Sequence, residues 1–280
     1  MHRLATAILD QLDQALGAGP RPRIQSLHLP PAPWDRSKDG EFGALRLDSG
    51  AVGLSYLLLG DDLARLVAGE GRSGLIGADA LSVARWWVAR DGAARTLGFA
   101  AANALSRHLM DRLGRVPPDA PDSIAGLDPQ PGASIGMVGY FPPLLRQVTE
   151  RGARLTVLEL RADLVGEREG VRVTLDPSAL ADCQQVLVTS TTLLNHSLAA
   201  VLEHCRSARQ IALIGPGAGL WPPALFEAGV TALGGTWVSD ADAFVQALGQ
   251  GAPWGRHARK TLIRRADWAA WAAADGESRP

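Results

Sequence analysis

The chain has 280 residues, a length that suits two compact domains of ordinary size better than one large one. With 46% hydrophobic residues, 20% charged residues and a mean hydropathy of +0.02, the composition is that of a soluble globular protein and excludes a disordered or fibrous chain. Lys plus Arg number 28 against 29 Asp plus Glu. The overall charge therefore gives no reason to expect nucleic acid or an anionic membrane as partner, and a small molecule or another protein, including a second copy in a homo-oligomer, is expected instead.

The first residues run into Asp10 and Asp13 before any apolar stretch long enough for a secretory signal, and no later segment is long enough to span a bilayer, so the protein reads as cytoplasmic. Leu4, Ala7, Ile8, Leu12, Ala15 and Leu16 recur at helical spacing and predict an opening helix that ends near Gly17 and Gly19. A short strand over residues 23–29 follows and is stopped by Pro30, Pro31 and Pro33. Residues 43–47 and 51–59 flank the turn-forming Asp48-Ser49-Gly50, which predicts an antiparallel hairpin and, with the preceding strand, a three-stranded sheet. Helices then begin at Asp61-Asp62, at Asp79 as a cap for a helix running through Trp86 and Trp87, and near Ala93. In the last of these, Leu97, Ala101, Ala104, Leu105, His108 and Leu109 mark the face expected to pack on the sheet. This first domain is expected over residues 1–113.

Residues 114–132, rich in Pro and Asp, read as the linker, and residues 133–280 as the second domain. From Ser134 onward the pattern becomes strand, small-residue loop, helix. Apolar strands are expected at residues 135–138, 155–160, 185–188 and 211–214, which predicts a Rossmann-like parallel sheet with helices on both faces. A last strand is expected over residues 231–238, with a helix capped by Ser239 or Asp240 over residues 240–248. The basic run Arg256, Arg259, Lys260, Arg264 and Arg265 alternates with apolar residues at helical spacing and reads as the solvated face of a C-terminal helix rather than a nucleic-acid patch.

Ligands of open parallel sheets bind beyond the carboxyl ends of the strands. Here those ends carry Gly139-Tyr140-Phe141, Glu159, Thr189-Ser190-Thr191-Thr192 and Gly215-Pro216-Gly217. Pro142, Pro143, Pro222 and Pro223 remove backbone donors from two helix starts, so an anion is expected at the start that keeps its donors, beside Ser190 and Thr191. No G-x-G-x-x-G follows the first strand of this sheet, which counts against a dinucleotide. His196, read as lying one turn into the third helix on its wetter face, is a candidate proton carrier or metal ligand, with an ordinary exposed histidine as the competing reading. Cys183 and Cys205 fall in no C-x-x-C spacing and are expected at the amino edge of the sheet as buried free thiols. Trp221 is the tryptophan best placed to stack on a planar ligand, against plain packing as the alternative.

Residues 134–145 (SIGMVGYFPPLL), 188–198 (VTSTTLLNHSL) and Ile214-Gly215-Pro216 together resemble an uncharacterised prokaryotic family labelled "putative heavy-metal chelation". The first half is similar to it at Gly53-Leu54-Ser55-Tyr56 and at residues 99–105. The chain departs from the family pattern by having Ser190 where a glycine is usual and Gly217-Ala218-Gly219 where a Ser-Thr-Pro-like turn is usual. The resemblance implies an enolase-N-terminal-like α+β domain ahead of the Rossmann-like one, and a transition metal or metal complex as the ligand. Two readings follow. One is a small-ligand-binding protein of metal metabolism that holds a metal complex or an anionic or planar molecule in a cleft between the domains, lined by Gly139, Tyr140, Phe141, Glu159, Thr189, Ser190, Thr191, Asn195, Gly215 and Pro216, with Ser55 and Tyr56 in a lid. The other is an enzyme acting on such a molecule at the same place, with His196 or Glu159 as acid/base.

Overall fold

The structure, a computed structural model, describes residues 2–32 and 41–277; Pro33, one of the prolines expected to end the first strand, lies outside them. The described chain forms two compact units, each made of segments that are not consecutive. The first comprises residues 1–117, 216–224 and 235–261, the second residues 118–215, 225–234 and 262–280.

In the first unit, α1 (Arg3–Leu16) buries Ile8, Leu9, Leu12 and Leu16 on one face. The sheet has the order β1-β2-β3, from β1 (Ile24–His28), β2 (Phe42–Leu47) and β3 (Val52–Tyr56). Both pairings are antiparallel, with Ala44 opposite Leu54 and Leu45 opposite Gly53 across the hairpin. Four helices follow: α2 (Asp62–Val67), α3 (Ala80–Ala84), α4 (Trp86–Ala89) and α5 (Gly92–Arg112). This is the expected α+β arrangement, a three-stranded antiparallel sheet followed by helices. Asp79 does cap, its carboxylate accepting from Ser82 N at 2.7 Å, but the helix divides at Arg85 instead of running on through Trp87.

The long helix α5 departs from a one-faced pattern. Phe99, Ala100, Ala102, Ser106 and Met110 are buried along with the predicted face, of which His108 alone is half-buried. Its small residues explain this: they let other backbone come into contact. A Cβ placed on Gly53 would lie 2.1 Å from Ala104 N and 2.2 Å from Ala100 O, and one on Gly98 would lie 2.2 Å from Trp87 N. The late segments complete the same unit. Phe244, Val245 and Leu248 of α10 (Ala241–Gly249), with Trp254, form one cluster with Phe42, Ala44, Val52 and Leu54. That packing accompanies the membership of residues 235–261 in the first unit.

The second unit is built on the larger sheet, of order β11-β10-β9-β8-β4-β5-β7-β6. Its strands are β4 (Ser134–Val138), β5 (Arg154–Leu158), β6 (Gly166–Arg168), β7 (Val171–Thr174), β8 (Gln185–Thr189), β9 (Gln210–Ile214), β10 (Ala232–Val238) and β11 (Ala258–Arg264), and the boundary between the units falls within the last two. All the pairings from β7 through β10 are parallel, and β6 is antiparallel to β7. In chain order the sheet grows from β4 outward to β7, then returns to the other side of β4 with β8. With right-handed crossovers that reversal puts α6 (Pro142–Thr149) on one face and α7 (Thr191–Leu194) and α8 (Leu198–His204) on the other. The core gathers Ile135, Met137, Leu155, Val157, Leu187, Ala212 and Ile214. Ile124 and Leu127 are fully buried in the same cluster, so residues 114–132 supply core as well as connection.

The outer part of this sheet differs from expectation in two places. The β6–β7 hairpin, turning at Glu169 (φ 51°) and Gly170 (φ 80°), was not foreseen. The basic segment is strand, not helix, from Ala258 to Arg264, because Thr261-Leu262-Ile263 is a buried run; helix begins only beyond it, as α11 (Arg265–Glu277), while the short α9 (Pro223–Glu227) precedes β10. The cations serve structure: Arg265 donates to the carbonyls of Phe226 (2.7 Å) and Val230 (2.8 Å).

Gly53→Ala is expected to lower stability by about 3 kcal/mol or more, because the new methyl meets backbone that cannot turn aside, whereas Gly19→Ala, open on all sides, leaves it nearly unchanged; urea unfolding of the two variants compares them. A second expectation concerns pH. Burial, with Arg46 nearby, holds the His28 imidazole below the usual histidine range, and burial, with Arg112 nearby, does the same for His108. The unfolded chain takes up protons from about pH 6.5 while the folded rings resist them. Their contribution is complete above that value and is lost as pH falls through it toward the lowered folded values. His108→Gln is expected to flatten the acid side of a plot of urea midpoint against pH.

Candidate functional site

Where chain direction reverses about a central strand, the two crossovers leave in opposite directions and open a crevice at the carboxyl end. In the second unit this point lies between β4 and β8, paired from Ile135↔Gln185 to Val138↔Val188. After β4 the chain turns at Gly139, with φ at 97°, and its N–H donates to Leu158 O at 2.9 Å. The turn needs glycine for a second reason, since a Cβ there would sit 2.9 Å from the Phe141 ring and 3.4 Å from the Thr189 methyl. Phe141 leads into α6, whose first residues are Pro142 and Pro143, and Tyr140 stays exposed.

After β8 the expected long helix with free donors is instead a single turn, α7. Ser190 N donates to Ile214 O at 2.7 Å, Thr191 N to Thr189 Oγ1 at 3.3 Å, and Leu193 N to Ser190 O at 3.1 Å. Thr189 Oγ1 also donates to Thr191 Oγ1 at 3.2 Å, and Thr192 Oγ1 to Thr189 O at 2.7 Å. The macrodipole of one turn is small and most of its donors are engaged, so the physical basis for an anion at this terminus is weaker than the sequence suggests. The break comes at His196, whose φ of 62° is left-handed and rare outside glycine. Half-buried His196 thus sits at a chain reversal and not on the wet face of a helix. Asn195 Oδ1 accepts from Ser197 N (3.1 Å) and Ser197 Oγ (2.6 Å), which shapes the same turn before α8.

Gly215, after β9, has φ 129° and donates to Gly234 O at 3.0 Å. A Cβ on it would lie 2.5 Å from Ser190 Oγ, so Ser190, itself 5% exposed, occupies the space a side chain would need. Glu159 follows β5; its N–H donates to Thr174 O (3.0 Å), and its Oε1 accepts from Leu160 N (2.7 Å) and Arg161 N (3.3 Å). The second unit therefore brings together Gly139, Phe141 and Thr189, and Ser190 with Gly215. Pro216, which opens a 3-10 turn to Ala218, belongs to the first unit, as do Ser55 and Tyr56. There Ser55 is buried and Tyr56 packs edge-on against Phe42 at 5.7 Å. Trp221 takes the packing role: it is 5% exposed, its N–H donates to Ser106 Oγ at 2.9 Å, and Arg115 lies 5.6 Å over the ring.

The family resemblance raises the question of a metal. Among the described residues there is no group of three or more His, Cys, Asp or Glu side chains able to hold one. Cys183 and Cys205 are buried and free. Their Sγ atoms approach the carbonyls of Ala179 (3.8 Å) and Val201 (3.3 Å). Burial raises the Cys183 thiol, and burial together with Cys183 pushes Cys205 up to about 11, so both are protonated near neutral pH. Metal ligation needs thiolate. These donors do not fit a protein-ligated metal ion.

Residues 122–267 match the DUF364 family model and residues 41–106 the DUF4213 model, both described as "Putative heavy-metal chelation". The chain belongs to this family. Two solved members, each described as a protein of unknown function, are similar over nearly the whole chain. The one from Desulfitobacterium hafniense has 22% identity and a TM-score of 0.68, with 93% of this chain and 99% of that one covered. The one from Pyrococcus horikoshii has 18% identity, the same TM-score and the same coverage. These likenesses show the fold. No curated protein sequence matches the chain. No helix among the described residues is long and apolar enough to cross a membrane.

Gly215→Ala is expected to destabilise by about 2 kcal/mol, through the contact with Ser190 Oγ and the positive φ. Adding Ser190→Ala removes the nearer atom and leaves Cβ at 3.4 Å, so the double variant should be more stable than the two single losses sum to. Thermal unfolding of the four proteins in the cycle measures the coupling; strict additivity would contradict the contact.

Proposed function

We propose that this protein binds a small organic ligand at the carboxyl edge of the sheet in its second unit, as a binding protein of metal metabolism in which any metal is held by the ligand's own donor atoms. One observation carries the reading. The family description speaks of chelation, yet the edge carries the hydroxyls of Thr189 and Thr191 and the single carboxylate of Glu159, and the described residues hold no cluster of metal donors. Hydroxyls and amides suit the polar rim of an organic molecule or a preformed complex. A bare soft cation asks for thiolate or imidazole instead.

Native mass spectrometry with elemental analysis of freshly purified protein tests this. The expected result is a bound organic mass, any metal present in fixed ratio to it, and both reduced in Thr189→Val, which deletes a hydroxyl at nearly constant shape. The Cys183→Ser, Cys205→Ala double variant should retain both. A stoichiometric metal without organic ligand, lost in the folded cysteine variant, would overturn the proposal.

A further inference from the structure

The order β7-β5-β4-β8-β9-β10 is that of a nucleotide-binding doubly wound sheet, with β4 as its first strand and β5 as its second. The strand ends are level: Val138 pairs with Leu158, and Leu158 with Thr174. The ladder runs one step further through Gly139 N to Leu158 O and Glu159 N to Thr174 O. Gly139, Glu159 and Leu175 therefore stand side by side at one rim. Glu159, at the end of the second strand and twenty residues beyond Gly139, holds the position from which an acid accepts the two hydroxyls of a ribose in such sheets. Its Oε1 is fixed by two backbone N–H groups, which orients the carboxylate before anything binds.

A separate observation points to the same rim. Among the described residues, half of the large hydrophobic side chains left exposed are Tyr140, Leu160, Val165 and Leu175, with Leu160 at 86%. Gly166 pairs with Val173, which sets Val165 level with Thr174 at the end of the adjacent strand. Apolar surface gathered around an oriented carboxylate has no structural use in the isolated unit, and it matches a flat heterocycle joined to a diol. The next group of a dinucleotide finds no match. Pro142 and Pro143 open α6 without N–H groups, where a diphosphate would need donors.

We propose that the rim formed by Tyr140, Glu159, Leu160 and Leu175 binds a ribonucleoside moiety, the carboxylate of Glu159 accepting from the two ribose hydroxyls and the apolar side chains covering the base, with no diphosphate site beside it. This rests on the small-ligand reading above and names the ligand class.

Calorimetric titration of the full chain with adenosine, guanosine, cytidine and uridine, with their 2′-deoxy counterparts and with NAD, tests it. At least one ribonucleoside is expected to bind. Its 2′-deoxy counterpart should bind about tenfold more weakly or worse, since a lost hydroxyl leaves the carboxylate's acceptor unpaired, and NAD should bind no more tightly than adenosine. Glu159→Gln keeps an oxygen for the two backbone N–H groups but loses one acceptor, so it should erase the distinction between ribose and deoxyribose while unfolding at the temperature of the parent. No binding by any of the four ribonucleosides, equal binding of the deoxy forms, or unaltered discrimination in Glu159→Gln would each overturn the inference. A co-purified ligand that is lost in Thr189→Val yet kept in Glu159→Gln would remove this inference and leave the small-ligand reading standing. Absence of any bound ligand, with no response to either variant, would remove both.

Discussion

The organisation of the second unit depends on the place of β4 between β5 and β8. Parallel neighbours cannot be joined by a tight turn, so each pairing demands a crossover. Because the chain adds strands first on one side of β4 and then on the other, successive crossovers diverge. The backbone after β4 must therefore clear the turn that follows β8. Gly139 meets this demand by adopting a positive φ and presenting only hydrogen to Phe141 and Thr189. The same solution recurs at Gly215 against Ser190. Between β4, β8 and β9 the edge is thus shaped by backbone packed against side chain, at Gly139 against Phe141 and Thr189 and at Gly215 against Ser190.

That shape bears on the word chelation in the family description. A protein that seizes a soft metal gathers thiolates or imidazoles around one point. Here the two thiols are buried and kept protonated by their surroundings, and His196 joins no cluster of metal donors among the described residues. The chemistry available at the strand ends is recognition by hydrogen bonds and apolar contact. A link to metals through the bound molecule is consistent with both the description and the side chains present.

Much of the architecture was legible in the sequence because it was written in short-range patterns. The Asp48-Ser49-Gly50 turn set the β2–β3 hairpin, and four apolar runs followed by small residues set the parallel strands. Asp240 caps α10 as read, accepting from Ala243 N at 3.0 Å. What was hidden lay in non-local or sub-helical detail. The helical spacing of the basic run misled because β11 holds a short buried run, Thr261-Leu262-Ile263, between charged residues, and that burial depends on what covers it. The halt of α7 after one turn depends on His196 entering a left-handed conformation, which no residue preference announces strongly. Gly139, Glu159 and Thr189 are recognisable as strand ends from the apolar runs before them, but the order of the strands is not written locally. That order alone shows which of them are neighbours.

The interleaving of the two units has a consequence for how the chain is made. Residues 1–117 emerge with their sheet and helices nearly complete, but Phe42, Val52 and Leu54 are finished as a core only by Phe244, Leu248 and Trp254. At ordinary rates of synthesis those residues arrive on the order of ten seconds later, after most of the second unit has been made. During that interval the nascent chain presents an open apolar face, and its last partner is a segment that must return across more than a hundred residues of intervening sequence. A stop codon between residues 118 and 244 would therefore release two incomplete bodies instead of one whole domain and a fragment, a vulnerability to truncation that a chain of two consecutive domains would not share.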